Sequence, residues 1–304
     1  MKRNQIPRKI ALFVLCFLVV GFIPNWEDQI KQLDKLQVLG QAREKISDIN
    51  AAPELARVVD NPNITARSAL AYDFSSGSIL YTYNFDVRVP IASLTKLLTA
   101  IVIVESGKWN ETVTVTEEDI KVIGPNTGLV KDERILVSEL MKAMLIASHN
   151  DSTRTLARHT AGSLERFVEL MNAKADELGM HSSHFNNPIG FDDTFHYSTA
   201  QDLTLLVQKF MSFDDLSAIV KLKEAELKPL NVAFTHKVKT TNQLLLEDPT
   251  VVGIKTGYTT EAKGNLAIRS IDGKADVVTI VLGSDDREGD TRKILDWIRT
   301  VYKW

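Results

Sequence analysis

The chain has 304 residues, 44% of them hydrophobic and 25% charged, an ordinary globular composition that argues against a disordered or fibrous protein. Its net charge of −3 does not suggest a nucleic acid as a partner. The single cysteine, Cys16, excludes an internal disulfide.

Charge is concentrated at the start. Lys2, Arg3, Arg8 and Lys9 precede the apolar run IALFVLCFLVVGFI, residues 10–23. A basic flank before such a run predicts a signal-anchor or transmembrane segment over residues 1–26, with the basic side in the cytoplasm and the remainder exported. No A-x-A cleavage site follows it, so an uncleaved anchor with Trp26 at the interface is expected. Residues 27–62 are polar and helix-prone. Ile30, Leu33 and Leu36 form a thin apolar stripe that ELARVV continues, which predicts a helical stalk.

The folded part is expected over residues 63–304. SALAYDF and SILYTYNF read as strands joined by SSG, a hairpin signal. PIASLTKLLTA, residues 90–100, opens a helix. IASHNDS, residues 146–152, lies between two helical runs. In SLERFVELMNAKADELG the residues Leu164, Phe167, Val168, Met171, Ala175 and Leu178 share one helical face, and Gly179 stops it. NNPIG reads as a tight turn, and STAQDL as a helix cap with Asp202 returning the bond to Ser198 or Thr199. VVGIKTGY, NLAIRS and DVVTIVLG are three further strands separated by turns, and TRKILDWIRTVYKW is a closing amphipathic helix. Two early strands, three late ones and helices between them predict one α+β domain with a mostly antiparallel five-stranded sheet covered by helices.

Three short stretches carry chemistry. A helix starting near Ser93 puts Lys96 on the same face, one turn on, where its amine can reach the hydroxyl. Serine is a weak nucleophile until a base takes its proton. Lys96 becomes such a base if burial lowers its pKa, and Leu97, Leu98, Ile101 and Val102 would supply that burial. Ser148-His149-Asn150 provides a hydroxyl to pass a proton to a leaving amine and an amide to hold substrate or orient Lys96. Lys255-Thr256-Gly257 offers a cation and a hydroxyl for a carboxylate. Its glycine would let an extended substrate lie against the strand edge.

S-x-x-K, S-x-N and K-T-G in this order form the signature of penicillin-binding proteins and class A β-lactamases. From about Thr65 to Trp297 the chain resembles the serine-type D-alanyl-D-alanine carboxypeptidases, the low-molecular-mass penicillin-binding proteins of the peptidase S11 type. LGMHSSHFNNPIGFDDTFHYSTAQDL, TTNQLL and IVLGSDDREGDTRKILDW extend the likeness. The resemblance implies a β-lactamase/transpeptidase-like fold with Ser93 as nucleophile, Lys96 as base and the amides of Ser93 and Tyr258 as oxyanion hole. The implied substrate is a peptidoglycan stem peptide ending in D-Ala-D-Ala, with β-lactams as acylating inhibitors, and the implied location is the outer side of a bacterial cell membrane. Many relatives continue into a further β-rich domain and an amphipathic helix, so membrane attachment is expected through the N-terminus.

Departures from the pattern are His149, where a small residue is usual and the ring is expected to face solvent, and Lys263, where a glycine is common. Arg287 matches a basic position that suits a surface ion pair as well as a substrate contact. No cofactor is implied. His181 and His184 follow the helix-stopping Gly179 without a supporting acid, so no metal site is expected. A DD-endopeptidase would use the same residues. A class A β-lactamase would need an E-x-x-L-N segment between Ser148 and Lys255, which is absent. A non-catalytic wall-binding scaffold is the alternative of another class, and the joint presence of Ser93, Lys96, Ser148, Asn150, Lys255 and Thr256 argues against it.

Overall fold

The computed structural model describes residues 51–304. The expected anchor, residues 1–26, and the expected stalk up to residue 50 lie outside the described residues. Among the described residues no helix is long and apolar enough to cross a membrane.

The expected sheet is present. Strands β1 (Glu54–Leu55), β2 (Ser68–Asp73) and β3 (Ile79–Tyr83) come first, then helix α1 (Thr95–Glu105). Strand β4 (Thr112–Thr114), helix α2 (Glu117–Ile120), strand β5 (Arg134–Leu136) and helices α3 (Val137–Ile146), α4 (Asn150–Ala161), α5 (Leu164–Glu177), α6 (Ala200–Met211) and α7 (Asp214–Ile219) follow. Strands β6 (Glu224–Leu227) and β7 (His236–Lys239), helix α8 (Gln243–Glu247), strands β8 (Val251–Thr259), β9 (Lys263–Asp272) and β10 (Ala275–Ser284), helix α9 (Arg287–Val301) and strand β11 (Tyr302–Lys303) close the chain. The central sheet has five strands in the order β3-β2-β10-β9-β8, every neighbouring pair antiparallel. β2, from the front of the chain, is thus held against β10 from its end.

Both faces of this sheet are covered, which is why β2 is buried at every position. Leu70, Tyr72, Val278, Ile280 and Leu282 point into the larger core with α1, α3, α5 and α6. Ala69, Ala71, Val277 and Val281 point the other way, onto Ile294, Leu295 and Ile298 of α9. The strict alternation is the period of two that a pleated strand imposes. Helix α1 is apolar nearly all round and buried from Thr95 to Ile103, the pattern of a helix at the centre of a domain. It carries the Lys96 amine into that interior.

Several expectations need correction. ELARVV does not prolong a helical stalk: Glu54–Leu55 is a strand paired with Tyr302–Lys303, and Trp297 donates to the Asp60 carbonyl at 2.9 Å. Pro53 and Pro62 flank this stretch, and its partners lie at the far end of the chain. The same pairing ends the closing helix at Val301. Thr199 caps α6 by accepting from the Asp202 amide at 3.0 Å, yet Asp202 does not return the bond. Its carboxylate instead accepts from the Ser182 amide and the Ser183 hydroxyl, at 2.8 and 2.7 Å.

Candidate active site

Ser93 sits in a single 3₁₀ turn, Ala92–Leu94, at the entrance to α1. Ala92 has φ +47°, a backbone setting unusual for a residue with a side chain. A brace holds the turn there. Asn186 donates its amide to His196 Nδ1 at 3.1 Å, which leaves Nε2 to carry the ring proton towards Thr95 Oγ1, 2.7 Å away. Thr95 in turn donates to the Ala92 carbonyl at 2.8 Å. Burial pushes the His196 pKa down to about 4, so the ring stays neutral.

One turn into α1, Lys96 Nζ lies 2.8 Å from Ser93 Oγ. It also donates to Asn150 Oδ1 at 2.9 Å and to the Ile189 carbonyl at 3.1 Å. The side chain is 0% exposed, and neither it nor Lys255 pairs with a carboxylate among the described residues. Burial holds the Lys96 pKa well below its ordinary value, and the nearby Lys255 charge pushes it the same way.

Asn150 is locked from both ends. Its Nδ2 donates to the Ile123 carbonyl at 2.8 Å and its backbone amide to the Pro125 carbonyl at 2.7 Å. The Ile123 carbonyl can only accept, which fixes Oδ1 towards Lys96. Of the two roles open to Asn150 in the sequence, this geometry shows the orienting one. Gly124 makes the contact possible: a Cβ there would lie 2.7 Å from Asn150 Nδ2.

The strand side mirrors the helix side. Lys255 on β8, only 1% exposed, donates to Ser148 Oγ at 2.8 Å and to the Thr256 carbonyl at 2.9 Å. Burial, with a contribution from Arg287, lowers its pKa to about 7. Ser148 has φ +61°, the second non-glycine residue of the site in left-handed geometry. Gly257 packs against the Ser93 turn: a Cβ would lie 2.9 Å from the Ser93 amide nitrogen and 3.0 Å from the Ile91 carbonyl. The missing side chain therefore serves the approach of strand to nucleophile turn, and Gly257 also lines the cavity.

These parts line one open cavity of about 550 Å³. Ser93, Ser148, Asn150, Thr256 and Tyr258 reach it, Tyr258 being 69% exposed, while both lysines lie behind the lining. The cation that does face the cavity is Arg287, which donates to the Gly257 carbonyl at 3.0 Å and pairs with Glu288. β8 is the outer strand of the sheet, so its free edge runs along the cavity.

Comparison with known proteins identifies the family. Residues 56–286 match the peptidase S11 family, described as D-alanyl-D-alanine carboxypeptidase. The chain belongs to this family. It is 31% identical over 246 residues to the D-alanyl-D-alanine carboxypeptidase DacF of Bacillus subtilis, covering 78% of this chain and 63% of DacF. It is 34% identical over 206 residues to a D-alanyl-D-alanine endopeptidase of Haemophilus influenzae, covering 66% of this chain and 69% of that protein. The crystal structure of the Streptomyces K15 DD-transpeptidase superposes with a TM-score of 0.76 at 27% identity, over 80% of this chain and all of that one. The chain thus spans less than two thirds of the length of DacF.

Within the S11 framework two departures find an explanation. His149 does not point freely into solvent: its Nδ1 lies 3.0 Å from Thr127 Oγ1 and the ring is half-buried, with burial lowering its pKa. Lys263 has φ +54°, which accounts for the preference for glycine there, and its amine pairs with Asp285 at 2.8 Å outside the cavity lining. His184 is occupied by the Phe195 carbonyl at 2.5 Å. Two contributors could not be read from motifs. The Ile189 carbonyl, third partner of Lys96, is held by Asn187, whose Oδ1 accepts the amides of Ile189, Gly190 and Phe191. The His196–Thr95 brace joins residues 101 apart in sequence.

Proposed function

We propose that this protein is a serine-type D-Ala-D-Ala carboxypeptidase that removes the terminal D-alanine from peptidoglycan stem peptides. The observation that carries the reading is the Lys96 amine, buried 2.8 Å from Ser93 Oγ with no paired carboxylate among the described residues. A lysine whose pKa burial has lowered can, in its neutral form, accept the hydroxyl proton as the oxygen attacks the carbonyl of the penultimate D-alanine. The amides of Ser93 and Tyr258 take the oxyanion, as the family resemblance implies. Ser148, in contact with Lys255, passes a proton to the leaving D-alanine nitrogen. Thr256 and Arg287 hold the terminal carboxylate, with the Lys255 charge behind them. Ser148 is reprotonated from the Lys255 ammonium; after free D-alanine leaves, the proton taken up by Lys96 passes to solvent, so that Lys96 is again the base when water attacks the Ser93 ester.

The reading includes β-lactams as inhibitors that acylate Ser93, and a membrane anchor formed by residues 1–26 that leaves the domain outside a bacterial cell membrane. The anchor rests on the basic flank and the apolar run alone. Its check is fractionation of the full chain. Recovery in the soluble fraction, uncleaved, contradicts it.

The decisive assay incubates the protein with a pentapeptide ending in D-Ala-D-Ala. Release of D-alanine that is lost in Ser93→Ala is expected, and no release by a folded protein contradicts the reading. The endopeptidase relative supports a second activity, cleavage of cross-links by the same residues. The ratio of rates on cross-linked dimers and free pentapeptides decides between them.

A further inference from the structure

The cavity lining is polar but nearly free of formal charge. Arg287 supplies a cation beside Gly257, and among the described residues the only acid of the lining is Asp192, on the loop that follows the Asn187 turn. Asp192 is exposed and accepts one hydrogen bond, from Thr259 Oγ1 at 2.6 Å. No cation pairs with it among the described residues. Thr259 is held in turn by the Ala262 amide, which donates to its Oγ1 at 2.9 Å. A free carboxylate is therefore fixed at a defined point along the β8 edge.

That point can be placed on a substrate. Thr259 lies three residues beyond Thr256 on β8, about 10 Å further along at the ordinary rise of a strand. An extended peptide advances by a similar rise per residue. With its terminal carboxylate at Thr256 and Arg287, its last two residues span the stretch to Tyr258, and the third residue from the carboxyl end lies beside Thr259. We infer that Asp192 is a specificity-determining residue that selects substrates whose third residue from the carboxyl end carries a free ammonium group. The inference rests on the carboxypeptidase reading. A lone exposed carboxylate suits an ammonium on a flexible chain, since the charge is available and no planar fork is needed. Binding there also leaves the carboxylate's bond from Thr259 intact, because a carboxylate accepts several hydrogen bonds.

The test compares two tripeptides, acyl-L-Lys-D-Ala-D-Ala with a free ε-amine and the same peptide acetylated on that amine. The measured quantity is the ratio of their kcat/KM values for D-alanine release. A half-exposed ion pair predicts that the wild-type protein favours the free amine by about fivefold at low salt. The preference shrinks as salt is raised. Asp192→Asn is expected to bring the ratio to about one, and Asp192→Lys to favour the acetylated peptide. Because Asp192 is exposed, matching melting curves show that both variants fold. A wild-type ratio near one, or a preference that persists in both variants, overturns the inference while D-alanine release leaves the carboxypeptidase reading standing. No release from either peptide by the wild-type protein overturns that reading and the inference together.

Discussion

The helix side and the strand side of the cleft each bury one lysine, and the two are used differently. Lys96 on α1 has a serine hydroxyl, an amide oxygen and a backbone carbonyl around its amine, while Lys255 on β8 has a serine hydroxyl and its neighbour's carbonyl. Neither pairs with a carboxylate among the described residues. Each lysine is depressed mainly by its own burial, and the charge on Lys255 adds to the depression of Lys96. Burial and the Lys255 charge hold Lys96 well below its ordinary value, and burial with a contribution from Arg287 lowers Lys255 to about 7. In the proposed reaction these two identical side chains act as a base and a cation. The assignment comes from depth and from the neighbouring charge, as in other sites where coupled groups are pushed apart.

Breaking the helix side is expected to have the largest effect. Lys96→Arg keeps a cation that cannot act as a base, and should lower D-alanine release by ~10³-fold, read as kcat on the pentapeptide. Ser148→Ala removes the hydroxyl that Lys255 contacts, and a loss of ~10²-fold is expected if it passes the leaving-group proton. Gly257→Ala attacks the seam between the two sides. Its Cβ would meet backbone atoms of Ser93 and Ile91 at 2.9 and 3.0 Å, which cannot yield as a side chain tip does. About 1–3 kcal/mol of stability should be lost in a denaturant titration, together with about tenfold in acylation rate.

The smallest and sharpest test concerns Lys255 alone. Below about pH 7 the native protein carries this ammonium buried, whereas the unfolded chain holds its proton up to the ordinary lysine value. The unfolded state therefore binds more protons between those two values, and stability contributed through this group rises with pH across that window. Lys255→Met is expected to be more stable than wild type by ~2 kcal/mol near pH 6, with the gap closing towards pH 10. The same variant should raise KM for the pentapeptide, because the charge behind Thr256 and Arg287 is gone. A variant less stable than wild type at both pH values contradicts the assignment of an unpaired buried charge.

What could be read from the sequence divides along similar lines. Ser93–Lys96, Ser148–Asn150 and Lys255–Gly257 each lie within four consecutive residues, so local spacing alone brings the groups of each stretch near one another. The five central strands were legible for the same reason, since apolar and β-branched runs bounded by turns leave few alternatives. What escaped is carried by backbone atoms or by distant partners. The carbonyls of Ile123, Pro125 and Ile189 position Asn150 and Lys96, and any residue type presents a carbonyl. The hairpin strands β4 and β5, and β6 and β7, are three or four residues long and partly exposed, too short to show a period. The pairing of Glu54–Leu55 with the last residues joins the two ends of the domain, which no local pattern encodes. Gly257 was legible as necessary, but its reason needed the packing partner.

The central claim is that the Lys96 amine is neutral when Ser93 reacts. The most direct test is the rate of acylation by a fluorescent penicillin as a function of pH, with mass spectrometry locating the adduct. The account predicts an adduct on Ser93 and an acid limb whose midpoint lies well below the ordinary lysine value, abolished in Lys96→Arg. A rate that keeps climbing to that ordinary value, or a Lys96→Arg protein that acylates as fast as wild type, would contradict it.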